Sequence, residues 1–72
     1  MFNGEKLRLL RNWKGLPQKQ AASLLGISQP AYSKLEKKKV INGEMLQKIK
    51  KAFGCTDMDI GRLYKLPPPP VK

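Results

Sequence analysis

Residues 17–39 decide the fold of this chain, and they read PQKQAASLLGISQPAYSKLEKKK. Small and apolar residues recur at helical spacing on both sides of Gly26, and Ser28 follows as an N-cap for the second segment. Gly26 permits a tight turn, and Ile27 fills the apolar space beneath it. Two short helices joined by so short a bend are typical of a helix-turn-helix.

The remainder of the chain shows the same pattern of helix start and stop signals. Capping residues precede apolar segments of helical period, and turn residues follow them. No stretch alternates with period two, so the sequence predicts an all-α fold of five short helices. The helix starts are predicted near Asn3, Pro17, Ser28, Asn42 and Thr56. The residues expected in the core are Leu7, Leu10, Trp13, Ala21, Ala22, Leu25, Tyr32, Leu35, Met45, Leu46, Ile49, Ala52, Phe53, Ile60 and Leu63.

Charge is the strongest feature of the composition. The 72 residues hold 15 Lys and Arg against five acids, which gives a formal net charge of +10. The electrostatic field of so positive a chain attracts polyanions. Nucleic acid, an anionic membrane and acidic proteins are all candidate partners on this ground. The apolar residues at helical spacing are needed for the core, so we expect no membrane partner.

The inventory of reactive side chains argues against an enzyme. The chain has no histidine and one cysteine, Cys55, which is expected to be a half-buried turn residue. We therefore expect no catalytic residues, no metal and no cofactor. A single cysteine fits a reducing compartment, and residues 1–5 lack the features of a secretory signal. The expected location is cytoplasmic, and it is nucleoid-associated where the polyanion bound is DNA.

The proline run divides the chain into two parts. Residues 1–64 are expected to form the helix-turn-helix domain, and residues 65–72 a flexible proline-rich tail. Pro67–Pro70 cannot be helical and are expected to be extended. The alternative is a ligand for a proline-recognising domain.

The outward positions of the third helix carry hydrogen-bonding side chains. Gln29, Ser33 and Lys34 are of the types that read base edges in the major groove. On either side lie groups suited to phosphate contacts, which are Gln18, Lys19, Lys37, Lys38 and Lys39. The alternative interpretation is that these side chains are merely solvated. For Lys34, a base contact and a phosphate contact are equally favoured.

This stretch resembles the lambda-repressor-like, or Xre, helix-turn-helix family. The resemblance extends over roughly residues 5–63 and rests on six residues at their relative spacing: Gln18, Ala22, Gly26, Ser28, Ser33 and Glu36. It implies a DNA-binding domain in which helices 2 and 3 form the helix-turn-helix. It also implies a sequence-specific transcriptional regulator that binds double-stranded DNA.

The resemblance also implies roles for individual residues. Gln18 would grip a phosphate, and Ser28 would join the base-reading residues at the start of the third helix. Arg11 would pair with Glu36 as a structural strut between the first and third helices. Family members often carry Asn-Gly after that glutamate, whereas this chain has lysines at 37 and 38.

The favoured function is a repressor that binds a two-fold operator as a dimer. The dimer contact is predicted at Ile60, Leu63, Tyr64 and Leu66, which are more apolar than a free chain end requires. One alternative is the DNA-binding antitoxin of a toxin–antitoxin pair, which would have a toxin as partner. The other is a basic protein-interaction module without specific DNA binding.

Overall fold

A computed structural model describes residues 2–65. Within that range the chain forms five α-helices and no strand, which confirms the predicted fold class. The helices are α1 (Gly4–Trp13), α2 (Gln18–Leu25), α3 (Gln29–Leu35), α4 (Gly43–Phe53) and α5 (Asp57–Leu63). Leu66 and the run Pro67–Pro70 lie outside the described residues. None of the five helices is long and apolar enough to cross a membrane.

The predicted capping residues stand at the helix starts. The Asn3 side chain accepts from the Lys6 amide at 2.9 Å, and Asn42 accepts from Met45 at 2.8 Å. Thr56 forms a reciprocal capping box with Asp59. Each cap satisfies an amide that the first helical turn leaves without a partner. Local sequence therefore sets the beginnings of these helices.

The core lies where α2 packs against both α3 and α4, and where α1 packs against α5. Its most deeply buried side chains are Leu7, Leu10, Tyr32, Ile49 and Leu63. Ala21 and Ala22 are also buried, because small side chains let neighbouring helices approach α2 closely. This packing fixes the inner face of α3 and leaves its outer face to solvent.

The N-terminal residues fasten the loop between α3 and α4. The amide of Gly4 donates to Lys38 O at 2.8 Å, and the amide of Ile41 donates to Phe2 O at 2.9 Å. A Cβ atom added to Gly4 would lie 2.4 Å from the backbone C and O atoms of Glu36. Only glycine permits α1 to approach the end of α3 so closely.

One prediction about an individual side chain is wrong. Trp13 was expected in the core, yet it is 45% exposed. It lies one turn after Leu9, on a stripe beside the one that buries Leu7 and Leu10. Near the end of α4, the Lys50 ammonium pairs with Asp57, and the Lys50 side chain is largely covered.

Candidate nucleic-acid interface

The turn between α2 and α3 is fixed by local hydrogen bonds. Gly26 caps α2 in the left-handed conformation, with φ of +71°. The amide of Ile27 donates to Ala22 O at 3.0 Å, which closes the end of α2. Ser28 Oγ then accepts from the Ala31 amide at 3.3 Å and starts α3. These bonds set the direction of α3 against α2.

The α3 helix has one buried face and one accessible face. Tyr32 and Leu35 point into the core. Gln29 and Lys34 are exposed, and Ser33 is half-buried. Gln29 and Ser33 are four residues apart, so they lie on the same face of the helix. The structure therefore brings the predicted base-reading residues of α3 together on an accessible surface.

Ser28 lies at the start of this surface, and its hydroxyl group already caps α3. Its oxygen accepts the capping hydrogen bond from Ala31. A hydroxyl also carries one hydrogen to donate, and Ser28 is exposed. Ser28 can therefore cap the helix and donate to an outside acceptor simultaneously.

The lysine side chains predicted to contact phosphates are all exposed: Lys19, Lys37, Lys38 and Lys39. The loop that carries the last three needs no left-handed residue, because in residues 2–65 only glycines have positive φ. The Lys37 and Lys38 amides instead donate to Lys34 O and Leu35 O, both at 3.1 Å. Together with the bond from Gly4, these contacts hold the lysine loop without the Asn-Gly common in the family.

Glu36 is the centre of a hydrogen-bonded cluster behind this surface. Arg11 Nε lies 2.6 Å from Glu36 Oε2, and Arg11 Nη2 lies 3.4 Å from Oε1. Gln18 Nε2 donates to the same Oε1 at 3.1 Å. Arg11 Nη1 donates to Leu16 O at 2.9 Å. The Glu36 side chain is only 5% exposed, so the ion pair is largely removed from water.

Gln18 is half-buried, and this contact occupies only part of its amide group. One hydrogen of its Nε2 and both lone pairs of its oxygen have no role in the bond to Glu36. The structure thus places Gln18 at the start of α2, oriented by the carboxylate behind it. Its predicted contact with a phosphate stays a prediction.

The Tyr32 hydroxyl lies in the interior near Arg11 and Glu36. Its oxygen is buried, and no described residue forms a hydrogen bond with it. Burial raises the pKa of Tyr32 far above its ordinary value, and the negative charge of Glu36 raises it further. Tyr32 is therefore neutral in the folded protein and contributes packing, not charge.

Two of the four residues predicted to form the dimer contact are buried in the core. Ile60 is 8% exposed and Leu63 is fully buried, so both belong to the core. The prediction that these two residues form the dimer contact is wrong, because they pack α5 against α1. Tyr64 is 44% exposed and remains accessible. Leu66 lies outside the described residues.

Cys55 is half-buried next to the end of α4, and burial raises the pKa of its thiol. A thiol held protonated in this way is a poor nucleophile and a poor metal ligand. Among residues 2–65, no three His, Cys, Asp or Glu side chains lie close enough together to hold a metal ion.

Sequence reasoning missed the contribution of the N-terminus to this site. Phe2 is buried in the same cluster as Leu7, although it was not among the expected core residues. It immediately precedes the N-cap Asn3, and Leu7 is the fourth helical residue. An apolar pair at these positions is the pattern of a hydrophobic staple, which was the available signal.

The comparison with protein families agrees with this geometry. A family model described as helix-turn-helix matches residues 7–60, which is well over half of the chain. No curated protein and no solved structure matches the chain significantly. The matched range contains both helices of the motif, the turn between them and the Arg11–Glu36 pair. The chain belongs to the lambda-repressor-like (Xre) helix-turn-helix family of DNA-binding transcription regulators.

Proposed function

We propose that this protein is a sequence-specific repressor that binds a two-fold operator in double-stranded DNA. The observation that carries the proposal is the accessible face of α3, where Gln29, Ser33 and Lys34 lie together. The opposite face of α3 is locked into the core, so these side chains are presented on a rigid support. A glutamine so placed can make two hydrogen bonds to adenine.

The phosphate contacts in this proposal come from the flanks of α3. Lys37, Lys38 and Lys39 follow its C-terminal end, while Gln18 and Lys19 begin α2. Exposed lysines on both sides of the reading helix would fix its register on the duplex without reading sequence. Bound over a promoter, a domain of this kind represses by excluding the polymerase.

The dimensions of the protein fit two copies on one face of DNA. Its longest axis is 29 Å, and half-sites read from the same face are separated by about 34–36 Å. This Cα extent is compatible with two copies on adjacent half-sites. Because Ile60 and Leu63 are occupied in the core, we propose that the copies pair weakly in solution and assemble on the operator.

A selection experiment tests this proposal. The full chain is incubated with a randomised duplex library and competitor DNA at about 150 mM salt, and bound duplexes are sequenced. We expect an enriched motif with two-fold symmetry, and sedimentation of two protomers on one selected duplex. A Gln29→Ala, Ser33→Ala variant should lose the motif. Uniform recovery of sequences by the parent chain would instead indicate a nonspecific polyanion binder.

A reporter assay then tests the sign of regulation. The selected operator is placed inside a promoter, and the protein should lower expression of the reporter. The Gln29→Ala, Ser33→Ala variant, which keeps the net charge, should leave expression unchanged. Increased expression with the parent chain would contradict repression while leaving operator binding intact.

A further inference from the structure

The lysine loop joins α3 to α4 through residues 36–42, and the middle of the loop depends on its two ends for support. Among residues 2–65, the backbone groups of Lys39 and Val40 form no hydrogen bond with any other backbone group. Both residues are exposed, so burial does not hold them either. The path of the chain through this stretch is therefore set at Lys38 and Ile41, the residues on either side.

Lys38 and Ile41 are both hydrogen-bonded to the start of the described chain. The carbonyl oxygen of Lys38 accepts from the Gly4 amide at 2.8 Å, and the Ile41 amide donates to Phe2 O at 2.9 Å. The Lys38 amide also donates to Leu35 O at 3.1 Å, so the end of α3 helps to hold that side. Within residues 2–65, the bond to Phe2 is the one backbone–backbone hydrogen bond of Ile41. The far side of the stretch therefore depends on Phe2.

Phe2 is anchored by its side chain and by the residue that follows it. Phe2 is 3% exposed and Ile41 is 4% exposed, and both belong to the same apolar core cluster. Asn3 caps α1 by accepting from the Lys6 amide at 2.9 Å, which fixes the chain directly after Phe2. Burial of the Phe2 ring thus holds the carbonyl group that binds the Ile41 amide. Removal of the ring would loosen this bond and with it the lysine loop.

We propose that Phe2 is a positioning residue for DNA binding, which holds the lysine loop in the shape that presents its side chains to phosphates. The inference rests on the proposed function, in which Lys37, Lys38 and Lys39 contact the duplex. Phe2 itself lies in the core and is not a DNA ligand. Its influence reaches the phosphates through the backbone of the loop.

The size of the effect follows from conformational entropy. A loop that already has its bound shape loses less freedom when it binds. Ordering the backbone of one further residue on binding corresponds to a factor of about ten in affinity. Phe2→Ala should therefore weaken DNA binding about tenfold. The loss should be equal on operator and scrambled duplexes, because phosphate contacts carry no sequence information.

A double-mutant cycle separates this role from a general loss of stability. Affinity for both duplexes is measured at about 50 mM salt, where weak binders remain measurable. The four proteins are the parent, Phe2→Ala, a three-lysine variant and the combination of both, where the three-lysine variant carries Lys37→Ala, Lys38→Ala and Lys39→Ala. Phe2→Ala should weaken the parent about tenfold but the three-lysine variant by less than about twofold, since the side chains through which it acts are then absent.

Two further variants serve as controls. Phe2→Leu keeps an apolar side chain in the core and should restore most of the affinity. Ile60→Ala removes a buried side chain from α5, outside the helix-turn-helix, and should leave the affinity of the folded protein unchanged. Circular dichroism at the assay temperature establishes that each variant is folded. If Phe2→Ala is not, Phe2→Val replaces it in the cycle, with an expected loss of about threefold.

The outcomes distinguish this inference from the function on which it rests. An equal loss from Phe2→Ala in both backgrounds would overturn the positioning role, because Phe2 would then act on the fold as a whole. An unchanged affinity of Phe2→Ala beside a weakened three-lysine variant would also overturn it. Parent-like binding by the three-lysine variant would instead refute the phosphate contacts of the proposed function, and the role of Phe2 with them.

Discussion

The side-chain amide of Gln18 donates to the carboxylate of Glu36, with 3.1 Å between Nε2 and Oε1. The same carboxylate pairs with Arg11 through Oε2. A residue proposed to grip a phosphate is thereby held by the ion pair that joins α1 to the end of α3. The proposed phosphate contact of Gln18 and the stability of the fold are therefore linked at this one carboxylate.

The first prediction concerns the ion pair itself. Arg11→Ala and Glu36→Ala should each lower the free energy of unfolding by about 1–3 kcal/mol, because either change leaves the other charge poorly compensated in a mostly buried place. Thermal and urea denaturation of both single variants and the double variant measure this. The double variant should cost less than the sum of the singles. Near-native stability of all three would reduce the pair to an ordinary surface contact.

The second prediction concerns Gln18 as a neutral phosphate ligand. Gln18→Ala should weaken binding to operator and scrambled duplexes alike, because a phosphate contact carries no sequence information. The slope of log affinity against log salt should stay unchanged, since the glutamine side chain displaces no counterion. Fluorescence anisotropy at several salt concentrations measures both quantities. Loss of affinity for the operator alone would place Gln18 against a base.

The third prediction compares two glycines in helices. Gly4→Ala should destabilise the fold by about 1–3 kcal/mol, since the new Cβ would lie 2.4 Å from the backbone of Glu36. Gly61→Ala, in α5, meets nothing within 4 Å and should stabilise the fold by about 0.5–1 kcal/mol. Opposite shifts in melting temperature are expected. Equal shifts would contradict the close approach of α1 to α3.

The fourth prediction concerns alkaline pH. The pKa of Tyr32 is raised, mainly by desolvation, from an ordinary value of 10.0. Tyr32 therefore supports the fold below about pH 10, and that support falls as pH rises further, because the unfolded chain then ionises more readily. In Tyr64→Phe, where Tyr32 is the remaining tyrosine, tyrosinate absorbance should appear together with loss of helical circular dichroism. Ionisation of Tyr32 within an intact fold would contradict its burial.

The sequence was sufficient where the determinants are local. Gly26 and Ser28 lie within a few residues of the helix ends they set, so the turn between α2 and α3 was predictable. The same holds for the Thr56 capping box. The outward residues of α3 followed from Tyr32 and Leu35, whose spacing defines the opposite face.

Features that depend on distant contacts were not predictable. Leu9 and Trp13 form a stripe beside that of Leu7 and Leu10, and helical spacing alone does not say where α5 packs. Apolar character likewise did not distinguish a core role for Ile60 from a role in dimer contact. The contact of Gly4 with Lys38 joins residues 34 positions apart and leaves no local pattern.

Measurement of Gln29→Ala and Lys37→Ala on operator and scrambled duplexes over a range of salt tests the central claim most directly. Gln29→Ala should cost about 1–3 kcal/mol on the operator, relax preference at one base position and hardly change binding to scrambled DNA. Lys37→Ala should weaken both duplexes equally and reduce the salt slope by about 0.9. Lys39→Ala should behave in the same way.

Lys48→Ala is the matched control, since it removes one exposed charge from α4, outside the helix-turn-helix. It should leave the salt slope nearly unchanged. If Gln29→Ala instead weakens both duplexes equally while the variants at Lys37 and Lys39 alter base preference, α3 does not read the major groove through Gln29.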